Sequence, residues 1–283
     1  MTSGEQSISA RDFARLRELI YDQAGICLGL EKKTMLEVRL KRRLKALNLD
    51  SYRDYCDYLF GHQGLREEIV HLIDVVTTNK TDFFREAGHF NFLVERLLPE
   101  FTSRYGTARR FLVWSAGCST GEEPYTLAIV LSEYELAHPG FRFRILATDI
   151  STTVLGKAEL GIYSSEVAAP VAAALRKKYF LRSRDRDSNR VRIVPELRQL
   201  VEFRRLNFMD SGYELSEKVD AVFCRNVIIY FDRPTQESIL RKLSHCLLPG
   251  GYMFVGHSET LHDMDLPLLP VEPALYRRID GGI

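Results

Sequence analysis

From residue 9 to residue 78 the apolar positions recur at helical spacing. Ser9 precedes RDFARLRELIYDQAG with Gly25 as a stop, Ser51 precedes YRDYCDYLF with Gly61 to close it, and LREEIVHLIDVVTT supplies another amphipathic stretch. Serines ahead of apolar-periodic runs and glycines behind them are helix start and stop signals. No run in this region alternates with period two, so the pattern predicts an all-helical domain over residues 1–78 and a linker over 79–88. After Gly88 a helix runs through HFNFLVERLLPEF, and then the pattern changes. RRFLVWSAG, FRFRILATDI, QLVEFRRLN, VDAVFCRN and GGYMFVG are short β-rich runs, most of them alternating with helical stretches such as PYTLAIVLSEYELAH and PTQESILRKLSHCLL. That alternation predicts an α/β domain over residues 89–283, a mostly parallel sheet with helices on both faces. GYMFVGHSE and PALYRRID have no comparable helix between them, which predicts an antiparallel edge. Tyr179 to Phe203 alternates polar and apolar residues around a turn-rich centre at Asp185 to Asn189, and reads as an inserted antiparallel β-subdomain over about 176–205.

Composition changes little in this picture. With 283 residues, 45% hydrophobic and 27% charged, the chain is of soluble globular type, and no apolar run approaches the roughly 20 residues that cross a bilayer. MTSGEQSISARDFARL lacks the apolar centre of a signal peptide and reads as a frayed start. The five cysteines, Cys27, Cys56, Cys118, Cys224 and Cys246, are scattered without CxxC spacing, the usage of a reduced, cytoplasmic protein. A net charge of +1 gives the whole chain little attraction for nucleic acid or for a membrane surface. One segment departs from that neutrality. In Glu31 to Lys45, seven basic residues (Lys32, Lys33, Arg39, Lys41, Arg42, Arg43, Lys45) face two acids, Glu31 and Glu37. Leu36, Leu40, Leu44 and Leu47 form one apolar stripe here, with Lys32, Arg39, Arg42 and Arg43 falling mainly away from it. The segment is either a solvated helix face or a docking surface for an acidic partner.

The chemistry begins at VWSAGCSTGEEPY. In doubly wound sheets ligands lie beyond the C-terminal ends of the strands, where a glycine turn admits a backbone closely and an acid on a later strand binds ribose hydroxyls. Gly117 and Gly121 follow the first strand and Asp149 ends the second, which outlines a nucleoside pocket. Gly117 to Gly121 is GxxxG, not the GxGxxG dinucleotide fingerprint. Glu122 and Glu123 oppose a pyrophosphate at the helix N-terminus and suit a cationic ligand or a ribose, so a methyl sulfonium fits better than NAD.

TTNKTDFFRE (Thr77 to Glu86), WSAGCSTGEEPY (Trp114 to Tyr125), ATDIS (Ala147 to Ser151), FCRNVIIYF (Phe223 to Phe231) and LLPGGYMFVGHSE (Leu247 to Glu259) together resemble the CheR chemoreceptor glutamate O-methyltransferases of bacterial chemotaxis. The resemblance spans nearly the whole chain. It implies a Rossmann-like class I methyltransferase sheet, S-adenosyl-L-methionine as cofactor with S-adenosyl-L-homocysteine as product, and no metal. It also implies cofactor roles for Asn79, Thr81, Arg85, Gly117, Asp149, Asn207, Phe208, Asn226 and Val227, and for Glu122 or Glu123. Arg85 and Tyr230 are the candidates for the reaction itself, one to hold the incoming carboxylate and one to shape the pocket near sulfur.

The implied partner is the acidic cytoplasmic coiled coil of chemoreceptors, with Lys32, Arg39, Arg42 and Arg43 as its docking residues. Some family members also add a C-terminal receptor peptide to the β-subdomain as an extra strand. Those members carry glycine in the subdomain's turn, whereas SRDRDSN has none, so tail binding stays open. Two rivals share the fold. A nucleic-acid N-methyltransferase carries an Asn/Asp-Pro-Pro-aromatic motif where this chain has RNVIIY, and a non-catalytic sensor of the cofactor has no need of Arg85 with Glu122 and Glu123.

Overall fold

The computed structural model describes residues 7–61, 64–185 and 188–279; the expected frayed start lies mostly outside them. Four helices, α1 (Ala10–Ala24), α2 (Lys33–Leu47), α3 (Tyr52–Leu59) and α4 (Gly64–Val76), make the N-terminal unit. The caps follow the serines: Ser9 Oγ accepts the Asp12 amide at 3.0 Å and Ser51 Oγ that of Asp54 at 3.1 Å. Gly25 ends α1 in the left-handed conformation at φ 69°. Gly61 does not end α3, which stops at Leu59 with the Phe60 N–H on the Cys56 carbonyl. Phe13, Leu16, Ile20, Leu36, Leu40, Tyr55 and Leu72 form this unit's core.

A long helix follows: α5 (Gly88–Phe92), a π-turn over Leu93–Leu97, and α6 (Leu98–Tyr105). Then come β1 (Phe111–Ala116), α7 (Glu122–Ala137), β2 (Phe143–Asp149), α8 (Thr152–Leu160), β3 (Ile162–Ser164), α9 (Ala173–Tyr179), β4 (Phe180–Arg182) and β5 (Arg190–Ile193). The remainder is α10 (Pro195–Arg198), β6 (Val201–Arg205), β7 (Val219–Cys224), α11 (Arg233–Cys246), β8 (Leu247–Val255), β9 (Leu268–Glu272) and β10 (Leu275–Arg278). The main sheet has the order β6-β2-β1-β7-β8-β10-β9, parallel through β8, with β10 reversed and pairing antiparallel with both β8 and β9. This is the class I methyltransferase arrangement, with the antiparallel edge where the missing helix predicts it. Every residue of β1 and β7 is buried, because both faces are covered. Phe111, Val113 and Phe223 pack on one side with α7; Leu112, Trp114 and Val222 pack on the other with α11.

The antiparallel insertion differs from its expected extent. Its sheet is β3-β5-β4, so it begins at Ile162. QLVEF, counted both among the runs of the main sheet and within the expected insertion, is β6 of the main sheet and pairs in parallel with β2, Val201 opposite Ile145 and Phe203 opposite Ala147. Three residues of β3 are too few to display a period, and β6 alternates as a hairpin strand does because it is the exposed edge of the main sheet. Ser188 N–H donates to the Asp185 carbonyl at 3.2 Å; Arg186 and Asp187, in the expected turn-rich centre, lie outside the described residues.

Candidate active site

The turn after β1 is tied to the end of β2. The amides of Gly117 and Cys118 both donate to the Thr148 carbonyl, at 2.8 and 2.9 Å. The Ser119 amide, from a residue at φ 50°, donates to Asp149 Oδ2, and the Ser151 amide to Oδ1, each at 2.9 Å. Asp149 is 9% exposed. Burial pushes its carboxyl up, against the amides of Ser151, Ser119 and Ile150 that favour the anion. A carboxylate has about four acceptor positions, so two fixed amides orient this one and leave room for further donors such as hydroxyls.

A cleft opens here, beyond the C-terminal ends of β1, β2 and β7, and the helical unit closes its far side. Ala24, Ile26 and Val76 from the ends of α1 and α4 line that side. Cross-unit hydrogen bonds hold it: Cys27 N to the Tyr230 carbonyl at 2.9 Å, Asn207 Nδ2 to the Gln23 carbonyl at 2.7 Å, and Tyr21 hydroxyl to Asp232 at 2.7 Å. Asp74 Oδ2 accepts from Thr152 and Thr153 at 3.0 and 2.8 Å. Asn79, Thr81, Arg85, Gly117, Glu123, Asp149, Asn207, Phe208, Asn226, Val227 and Tyr230 all line the cleft.

Glu122 is not among the lining residues. Its Oε2 accepts the Thr120 hydroxyl at 2.7 Å in a buried position behind the turn, and burial raises its pKa. Of the two acids, then, Glu123 is the one on the cleft wall. Glu123 Oε1 accepts from Ser115 Oγ at 2.7 Å and Oε2 from Arg225 Nη1 at 3.1 Å. Burial pushes its carboxyl up, with Arg225 and Ser115 acting the other way.

Arg85 sits in a turn whose neighbours Phe84 and Glu86 have φ of 56° and 55°. Phe83, 1% exposed, anchors that turn edge-on against Tyr163 and Phe180 at 5.1 and 5.5 Å. The Arg85 side chain donates to the Lys80 carbonyl at 3.1 Å. Glu86 turns inward, accepting from Arg225 Nη2 at 3.0 Å and from the His257 amide at 3.3 Å. Burial pushes Glu86 up, but Arg225 and the His257 amide outweigh it and leave the pKa lowered. His89 is 4% exposed with neither ring nitrogen hydrogen-bonded, and burial, then the Arg225 charge, lower its pKa to about 4. Glu86, His89 and His257 bring one ligand-capable atom each within 4.8 Å of one another, but Glu86 is already committed to Arg225.

Neither Glu86 nor Arg225 stands out in the sequence reading. The signal that existed was a charged residue directly after the β-rich run that forms β7, followed by Asn226, which the structure places at φ 58°.

The basic helix divides. Lys32 and Arg42 are exposed, as are Lys41 and Lys45. Arg39 and Arg43, expected to point away from the apolar stripe, turn inward instead. Arg39 donates to the Val75, Val76 and Thr77 carbonyls and to Thr78 Oγ1, satisfying carbonyls that the end of α4 leaves free. Arg43 grips Glu68, 1% exposed, through two bonds of 2.7 Å. Spacing on one helix could not reveal that, because the partners belong to α4.

Residues 79–272 match the CheR methyltransferase SAM-binding domain and residues 11–77 the CheR methyltransferase all-alpha domain. The chain belongs to the CheR methyltransferase family. It is 37% identical over 275 residues to the chemotaxis protein methyltransferase of Borreliella burgdorferi, covering 96% of this chain and 95% of that one. Identity to the chemotaxis protein methyltransferase of Salmonella typhimurium is 42% over 258 residues, 91% and 86% of the two chains. With the Escherichia coli protein of that description it is 40% over 259 residues, 92% and 87%. This CheR-family enzyme is thus an S-adenosylmethionine-dependent methyltransferase of chemotaxis. The cleft suits that cofactor: an oriented carboxylate at the end of β2, a glycine turn beneath, and apolar Val227, Phe208 and Phe231 beside it. Among the described residues no helix is long and apolar enough to cross a membrane.

Proposed function

We propose that this enzyme methylates glutamate side chains on the cytoplasmic coiled coil of chemoreceptors, forming methyl esters, and works in the cytoplasm. The observation that carries the reading is that Arg85 and Tyr230 line the same cleft as Asp149 and Glu123. When bound, S-adenosylmethionine supplies an electrophilic methyl group. Asp149 accepts ribose hydroxyls, Asn79, Thr81, Asn207 and Asn226 supply polar contacts, and Phe208 and Val227 supply apolar walls. A glutamate with a pKa near 4.3 is already an anion at neutral pH, so no general base is needed. The protein's task is placement: Arg85 holds the carboxylate by a charge-assisted bond and Tyr230 bounds its approach. Apolar walls strip water from two opposite charges that cancel as they react, favouring the transition state over the separated ions.

Docking on an acidic helical substrate falls to the exposed cations Lys32, directly before α2, and Arg42 on it, with Lys41 and Lys45 beside them. Arg39 and Arg43 hold α2 in place for that surface.

Arg85→Ala tests the assignment. Transfer to a receptor fragment is expected to fall by on the order of 10²-fold, while the cofactor dissociation constant changes less than about 5-fold. Unchanged turnover would remove Arg85 from the chemistry.

A further inference from the structure

We propose that Arg225 is a positioning residue that aims Arg85 into the cleft; the inference rests on the role of Arg85 given above. The Arg225 side chain is 2% exposed. Its guanidinium reaches three groups at once: Glu86 Oε2 from Nε at 3.3 Å and Nη2 at 3.0 Å, Glu123 Oε2 from Nη1 at 3.1 Å, and the Arg85 carbonyl from Nη2. Its carbon lies 5.4 Å from the centre of the Phe90 ring. Only a planar fork of five donors serves three partners in these directions, and a lysine ammonium has neither the reach nor the geometry.

What the fork holds is a turn in a costly backbone conformation. Phe84 and Glu86, on either side of Arg85, both have left-handed φ, at 56° and 55°. That region is disfavoured for any residue carrying a Cβ and persists only where the surroundings over-determine it. The restraints come from several sides: the Arg85 amide donates to the Asp82 carbonyl at 3.4 Å and the His89 amide to the Glu86 carbonyl at 3.1 Å, Phe84 N–H donates to Thr126 Oγ1 at 3.2 Å, and the His257 amide and Asn226 Nδ2 donate to Glu86 Oε1 at 3.3 and 3.4 Å. Arg225 adds the tie between the Arg85 carbonyl and Glu86 Oε2. Among the described residues the Arg85 side chain has one hydrogen bond, to the Lys80 carbonyl, so its aim follows the backbone that Arg225 grips. The same guanidinium fixes Glu123, so a single group sets two walls of the cleft relative to each other.

The test compares wild type, Arg85→Ala, Arg225→Lys and the double variant Arg85→Ala/Arg225→Lys, with full-length enzyme and a receptor fragment. Turnover, the Michaelis constant and cofactor binding by calorimetry are measured for each. If Arg225 acts through Arg85, Arg225→Lys lowers kcat by roughly 10- to 50-fold, and the double variant is no slower than Arg85→Ala by more than about 3-fold, the signature of non-additive partners. Should Arg225→Lys melt below the assay temperature, Glu86→Gln replaces it, with the same failure of the losses to multiply expected. Losses that multiply in the double variant overturn the positioning role while leaving that of Arg85 intact. An Arg85→Ala enzyme with wild-type turnover overturns both.

Discussion

Val227 occupies the space that a side chain on Gly117 would need. A Cβ built on Gly117 falls 2.5 Å from Val227 Cγ2, and Gly117 has φ 85°, so both sterics and backbone demand glycine at the floor of the cleft. Gly117→Ala therefore either pushes Val227 into the cofactor's place or opens the turn. Calorimetry is expected to show cofactor binding weakened by at least about 10-fold, with the melting temperature lowered as well. Binding within a factor of two of wild type would mean that the β1 turn does not meet the cofactor.

Asp149 is fixed by the Ser119 and Ser151 amides, each at 2.9 Å, so it is oriented before any ligand arrives. Asp149→Ala removes a charged acceptor for ribose hydroxyls and is expected to weaken cofactor binding by roughly 10- to 100-fold, since hydrogen bonds to charged groups are worth about 1.5–3 kcal/mol. An unchanged dissociation constant would reject the ribose role.

Charge on α2 has two different uses. Reversal of the exposed pair, Lys32→Glu with Arg42→Glu, is expected to raise the Michaelis constant for receptor and to flatten its salt dependence, with stability unaltered. Arg43→Ala instead strands the buried Glu68 beside the Tyr55 hydroxyl, 3.1 Å away, and is expected to cost about 3 kcal/mol of stability. Urea unfolding and steady-state kinetics on both variants separate the two roles. The assignment fails if the double reversal leaves the kinetics alone or if Arg43→Ala leaves the urea midpoint alone.

What the sequence made legible follows from how local each signal is. Serine caps, the glycine stop of α1 and the β-rich runs of β1 and β7 depend on neighbours within a turn or two, and each lies where its pattern puts it. The cleft residues on the ends of strands were legible for the same reason: a strand-to-helix turn fixes which side chains face the switch point. The choice between Glu122 and Glu123 was not. Adjacent helical residues point about 100° apart, and only the packed turn shows which faces the cleft. Arg39 and Arg43 read as free cations because their partners lie 25 to 39 positions along the chain. Arg225 was silent for the same reason, its partners Glu86 and Glu123 being 139 and 102 positions away.

His89 makes stability depend on pH. Its pKa is lowered by burial from 6.5 to about 4, so between those values the unfolded chain binds a proton that the folded chain refuses. Stability therefore falls as pH drops through that window. Urea midpoints are expected to decline from pH 7 to pH 5, less steeply in His89→Leu. Parallel declines in the two proteins would show that other groups account for the loss.

The most direct measurement is the chemical nature of the product. Purified enzyme, a chemoreceptor cytoplasmic fragment and methyl-labelled S-adenosylmethionine are incubated, and the labelled fragment is exposed to mild base. Glutamyl methyl esters release the label as methanol, and replacing the fragment's accepting glutamates by alanine abolishes it; that is the result expected here. Label that survives base, or that persists without those glutamates, would contradict the account.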